Sequence, residues 1–156
     1  MEIRISDRQK KFRIHNKQIK QLCQQVLSGE NADSALQLDI SIVTDEEIAR
    51  LNESYLHHIG YTDVISFPQL TPGEQPPDTP YMLGDVVVSP ERALDQSRQY
   101  HTSFNQEFGL YIIHGILHLL GFDDQEQDAK DLMEKHQNLW FNKLLKNDTL
   151  ILICEQ

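Results

Sequence analysis

His114-Gly115-Ile116-Leu117-His118-Leu119-Leu120-Gly121-Phe122-Asp123-Asp124 is the stretch on which the reading of this chain turns. Its two histidines are four residues apart in an apolar run, so on a helix they share one face, one turn apart. Two imidazoles so placed can hold a small cation between them, which is why H-x-x-x-H recurs among zinc sites. Gly121 follows where the helix has to stop, because glycine tolerates the left-handed backbone that closes a helix. The turn beyond it can carry Phe122-Asp123-Asp124 back toward the pair, with Asp124 as third ligand and Asp123 as the competing donor. The same pattern also fits a satisfied, buried histidine pair, with Asp124 capping the next helix. The glycine and the carboxylate at these offsets favour a metal, one divalent ion per chain.

The eleven residues keep the skeleton of the zinc-protease signature H-E-x-x-H-x-x-G-x-x-H with two substitutions. Gly115 stands where the glutamate general base belongs, and Asp124 stands where the third histidine belongs. Without that glutamate nothing beside the ion takes a proton in peptide hydrolysis, so protease chemistry is disfavoured.

A chain of 156 residues fits one domain, 1–156, with a substantial core. A formal charge of -10 argues against a generic nucleic-acid binder. Residues 1–20 run the other way, with seven Lys and Arg against Glu2 and Asp7. Such a patch on an acidic body can hold a polyanion locally, although a solvated face is the simpler reading. Cys23 and Cys154 are far apart and outside any C-x-x-C spacing, which fits a reducing compartment. With no apolar leader in residues 1–20 and no bilayer-length run, the expected location is cytoplasmic, with no membrane partner.

Taken in order, Ile3 and Ile5 alternate as a first strand, and Asn16 caps a helix whose stripe is Ile19, Leu22, Cys23 and Val26, ending near Gly29. Strict alternation over 36–42 predicts a half-buried strand. Thr44-Asp45-Glu46-Glu47 reads as a capping box for a helix facing the core with Ile48, Leu51, Asn52 and Tyr55. With the strand at 62–67 this makes a βαβ-like unit. Five of the six prolines fall in 68–80, a surface loop. A strand at 84–89 is expected to pair with 62–67, and Ser89-Pro90 opens a helix running toward Tyr100. Ser103-Phe104-Asn105-Gln106 caps the histidine helix. A last helix starts near Asp124 or Gln125, with Ala129, Leu132, Met133, His136, Leu139 and Trp140 at core spacing. Residues 150–153 are an apolar tail: an added strand, a docking segment or an interface. Strands and helices that do not alternate regularly favour α+β, with a small mixed sheet of about four strands, surrounding helices and a central, zincin-like metal-binding helix.

Three segments together resemble the YbeY family of bacterial metal-dependent endoribonucleases, also described as rRNA maturation factors. They are Leu51-Asn52 and Tyr55 followed by Thr62–Pro68, then Leu83–Ser89, then His114–Asp124, in the family's order. The resemblance implies a single-strand-specific endoribonuclease that matures the 3′ end of 16S rRNA and serves ribosome quality control. It further implies rRNA on ribosomal particles and ribosome-associated proteins as partners, and a zinc ion on His114, His118 and Asp124. Two departures matter. Asp124 replaces the family's usual third histidine, adding charge to the site while remaining an acceptable ligand. Leu56 replaces an arginine, leaving His57 and His58 as the nearest groups to touch phosphate. No general base is evident within the motif. Asp63, Asp85 and His57 are the candidates, while His101 and His136 read as capping or packing residues. A non-catalytic assembly factor stapled by its metal, and a hydrolase of another substrate, are the competing readings.

Overall fold

Alternation, capping and glycine placement translate into eleven elements in this computed structural model, which describes residues 1–56, 64–70, 80–150 and 153–156, with 55 and 56 as backbone. In chain order they are β1 (Glu2–Asp7), β2 (Arg13–Ile14), α1 (Asn16–Gly29), β3 (Leu36–Ile42), α2 (Asp45–Leu56), β4 (Val64–Pro68), β5 (Tyr81–Val88), α3 (Pro90–Tyr100), α4 (Phe104–Leu119), α5 (Gln127–Lys146) and β6 (Cys154–Glu155). Four strands form a mixed sheet in the order β1-β3-β5-β4. β1, β3 and β5 run parallel, and β4 is antiparallel to β5. The α+β expectation and the four-stranded sheet hold.

The βαβ unit read at 36–67 does not form as expected. β5 inserts between β3 and β4, so those two strands are not neighbours and run in opposite directions. The parallel crossover is β1–α1–β3 instead. Burial explains the order: Val86, Val87 and Val88 are buried in succession, which suits an inner strand covered on both faces. β4 ends in an exposed proline, which suits an edge.

One face of the sheet carries the main core. Leu38, Ile40, Ile42, Val86 and Val88 pack there with Ile112, Ile113 and Ile116 of α4, all of them inaccessible to solvent. Each such side chain contributes about 1.5–3 kcal/mol relative to exposure. On the other face Val43, Ile48, Ile65 and Val87 make a smaller cluster. α4 is central: α1, α3, α5, β4 and β5 all pack on it. Close approach to the sheet depends on Gly115, where a Cβ would lie 2.6 Å from Val86 Cγ1 and 3.1 Å from Val64 Cγ2. The Ser66 hydroxyl adds a hydrogen bond to the Gly115 carbonyl at 2.9 Å.

Helix starts follow the capping signals. The Oγ of Ser89 accepts from the Arg92 backbone, ahead of a proline in the first turn, and the Oγ of Ser103 accepts from Gln106. Thr44 Oγ1 likewise accepts from Glu47 N at 3.1 Å, while the Glu47 carboxylate pairs with Arg8 at 3.0 Å. α1 departs slightly, with His15 at the cap position and Asn16 already helical. α5 begins at Gln127, later than expected, because Asp123 Oδ1 accepts from the backbone of Asp124 and Gln125 and holds a turn there. Its core stripe is Met133, Trp140 and Leu144, and Leu132 and Leu139 lie one residue off it, 50% and 46% exposed.

The tail closes back onto the fold. Leu150 and Ile153 are buried, and β6 pairs antiparallel with β2. Asn105 Oδ1 accepts from Ile153 N and Cys154 N at 2.7 and 2.8 Å. Leu150 Cδ2 lies 2.5 Å from where a Cβ on Gly109 would stand, so this glycine makes room for the tail. The proline-rich 71–79 stretch is outside the described residues. Among those described, no helix is long and apolar enough to cross a membrane.

Candidate metal centre

The C-terminal end of α4 is built around Gly121. It adopts φ 101°, in the left-handed region that favours glycine. Phe122 N donates to Leu117 O at 3.0 Å and Gly121 N to His118 O at 3.1 Å, the two hydrogen bonds of a Schellman turn. The turn therefore places the Phe122 carbonyl over the helix end, where it accepts from His118 Nδ1 at 3.1 Å. The Phe122 ring packs on His136, centroids 4.6 Å apart, and Glu30 holds His136 at 2.6 Å. His136 is a packing residue, and His101 is the left-handed C-cap of α3, as their positions in the sequence suggest.

The three predicted ligands come together. His114 and His118 are half-buried, with Nε2 atoms 3.1 Å apart. His118 Nε2 is 3.8 Å from Asp124 Oδ2, and one donor atom of each residue lies within 4.8 Å of the others. Two nitrogens each about 2.05 Å from a tetrahedral zinc would be about 3.3 Å apart, so the donor set fits a single ion. Proton placement agrees. A carbonyl oxygen only accepts, so a neutral His118 carries its proton on Nδ1 and presents a bare Nε2. His114 Nδ1 faces Gln137 Oε1 at 2.7 Å, which leaves its Nε2 bare in the same way. Two lone pairs facing each other repel unless a cation sits between them. Burial, then the neighbouring His114, push the His118 pKa down, partly offset by Asp124, which favours the neutral ligand form.

Asp123 is occupied elsewhere, its Oδ1 accepting the two turn amides, so the loop offers the Asp124 carboxylate to the histidines. Asp85 lies on the other side of the sheet. Val86 touches α4 at Gly115, so the preceding side chain alternates away, toward Asp39, its cross-strand partner. Burial and then Asp39 raise its pKa, but it does not face the histidines. The expectation that it faced the metal helix came from its place at a strand start, and the pleat reverses it. Asp63, His57 and His58 lie outside the described residues. Gln137 is the residue that sequence reading missed. The available signal was a polar side chain lying between Met133 and Trp140 on the buried side of α5.

Fold and site together define an α+β protein with a three-donor candidate metal centre at the end of its central helix. The model of the family described as Endoribonuclease YbeY matches residues 4–145. Among named relatives, Endoribonuclease YbeY of Clostridioides difficile (strain 630) is 36% identical over 149 residues, covering 92% of this chain and 97% of that protein. Endoribonuclease YbeY of Halalkalibacterium halodurans is 41% identical over 112 residues, 68% of this chain and 70% of its own. The chain belongs to the YbeY endoribonuclease family. A solution structure of a Thermotoga maritima protein shares the fold, with a TM-score of 0.60 at 23% identity over 94% of each chain.

Proposed function

We propose that this protein is a metal-dependent endoribonuclease that cuts single-stranded RNA in rRNA processing, with zinc held by His114, His118 and Asp124. The substrate in this reading is rRNA on ribosomal particles in the cytoplasm, notably the 3′ end of 16S rRNA, with a part in ribosome quality control. The observation that carries it is the convergence of three donor atoms within 4.8 Å in a chain of this family. When bound, the ion supplies a Lewis acid at the phosphoryl group. The chain's own part is to fix the tautomer and the aim of both imidazoles, through the Phe122 carbonyl and Gln137. Three protein ligands leave room for a reacting oxygen, and Asp124, exposed at the loop, keeps that side open to an extended strand. Gly115 is pressed on Val86, so the position of a peptidase's glutamate has no space for a side chain.

Cleavage of an unstructured RNA, followed on a gel, tests this. Chelator is expected to abolish cutting, added zinc to restore it, and His114→Ala to lower it by about 100-fold or more, beyond what loss of an outer partner costs. Equal cleavage with and without chelator would overturn the reading. Metal content without cleavage, and a melting temperature that falls on chelation, would make the ion a staple instead.

A further inference from the structure

Residues 8–29 hold six of the chain's 14 basic residues and none of its 24 acidic ones. The metal centre does not use this stretch. Folded, it becomes the turn before β2, β2 itself and α1, and Lys10, Lys11, Arg13, Lys17 and Lys20 are all exposed. Arg8 is taken by Glu47, and Arg13 stands 3.9 Å from Glu155, which His15 holds more closely at 2.6 Å. The four lysines make no ion pair with a described residue.

We propose that this lysine-bearing face is a second RNA-binding surface, holding the phosphodiester backbone of the same strand a few nucleotides from the metal centre. It rests on the endoribonuclease reading and extends it. Lys17, Gln21, Gln24 and Ser28 recur at helical spacing on the solvent side of α1. They run into a groove of about 490 Å³ lined by Gln21, Gln24, Gln25, Ser28, Asn147 and Thr149. Uncharged amides and hydroxyls suit sugars and base edges, and flanking lysines suit phosphates. The nearby carboxylates are Asp7, which holds Gln9; Glu155 on His15; Glu30, which is engaged by His136 and Trp140; and Asp148, between Asn147 and Thr149 in sequence.

Placement links this face to the site. α1 has 14 residues, about 21 Å at 1.5 Å per residue. Its basic end lies by β2 and β6. Its other end, at Glu30, bonds His136 on α5, whose neighbour Gln137 bonds His114. A strand laid along α1 from the lysines thus heads for the helix that braces the metal centre. The rest of the chain carries eight basic residues against all 24 acidic ones, so it repels a polyanion and this strip attracts it.

The test is binding of a 3′-fluorescein-labelled, unstructured 20-nucleotide RNA, by anisotropy in chelator, at 50 to 200 mM salt. The wild-type chain is compared with a variant carrying Lys10→Gln, Lys11→Gln, Lys17→Gln and Lys20→Gln, and with Arg98→Gln as a control. The expected result is roughly tenfold or greater weakening at low salt, and a log–log salt slope shallower by about 0.7 per lysine removed. With metal restored, KM for the long RNA rises while kcat, and cleavage of a tetranucleotide, stay as they were. Unchanged affinity and slope, or the same weakening in Arg98→Gln, would overturn the proposal. Salt-sensitive self-association of the wild type that the lysine variant lacks would assign the face to a second copy and overturn it too. If neither protein cleaves but only the wild type binds, the surface stands and the cleavage reading fails.

Discussion

Gln137 reaches from α5 to the imidazole of His114, and the end of its amide that faces the ring decides where that ring keeps its proton. With oxygen toward Nδ1, both Nε2 atoms are bare and ready for an ion. With the amide turned over, His114 would donate from Nε2 to His118 and close the site with a hydrogen bond. Gln137→Met keeps the bulk and removes the acceptor, so metal affinity is expected to fall 10- to 100-fold, roughly the effect of losing a ligand's outer partner. Competition with a chelating dye measures it. The two histidines, Gly121 and Asp124 were legible beforehand because a helix and its closing turn fix them locally. Gln137 was not, since it is 23 residues from His114 and meets it only through the crossing of two helices. Asp85 was misplaced for a related reason: its side of the pleat depends on which strand residue meets α4.

At the scale of elements, the docking of α4 on the sheet is set by Gly115. Gly115→Ala puts a methyl into Val86, and a stiff β-branched neighbour yields little, so a loss of about 1–3 kcal/mol is expected in urea unfolding. Gly115→Glu would lift the helix from the sheet and would not create a peptidase. Stability equal to wild type in both variants would show that the contact is looser than the geometry says. Capping residues announced α3 and α4 correctly, since Ser89 and Ser103 act within four residues of themselves. The face of α5 was harder. Leu132 and Leu139 look like core partners by hydrophobicity, and only the register of the Met133–Trp140–Leu144 stripe assigns them to solvent. The pairing of β5 with β4 was legible, but the insertion of β5 between β3 and β4 was not, because that inner place goes to a strand whose Val86, Val87 and Val88 are buried on both faces.

Across the whole molecule, both thiols belong to the main core. Burial pushes Cys23 and Cys154 up to about 12, with Asp7 adding to the effect at Cys154. Neither is expected to react with a disulfide dye at pH 8 until the chain is unfolded, when both should react; native-state labelling would contradict this. The linkage has a definite sign. Above the ordinary thiol value of 9.0 the unfolded chain releases protons that the folded chain keeps to about 12, so these two groups lower stability as pH rises through that window. Charge segregation was visible in the sequence, but its alignment with a groove needed α1 to lie beside Asn147 and Thr149. The tail carries a last implication. Because Leu150 and Ile153 fill the space beside Gly109, a nascent chain still short of those residues has an open flank in its core. Synthesis has to deliver residues 150–153 before the histidine helix is sealed, so this flank of the core closes only after the sheet, the helix and its closing turn have been made.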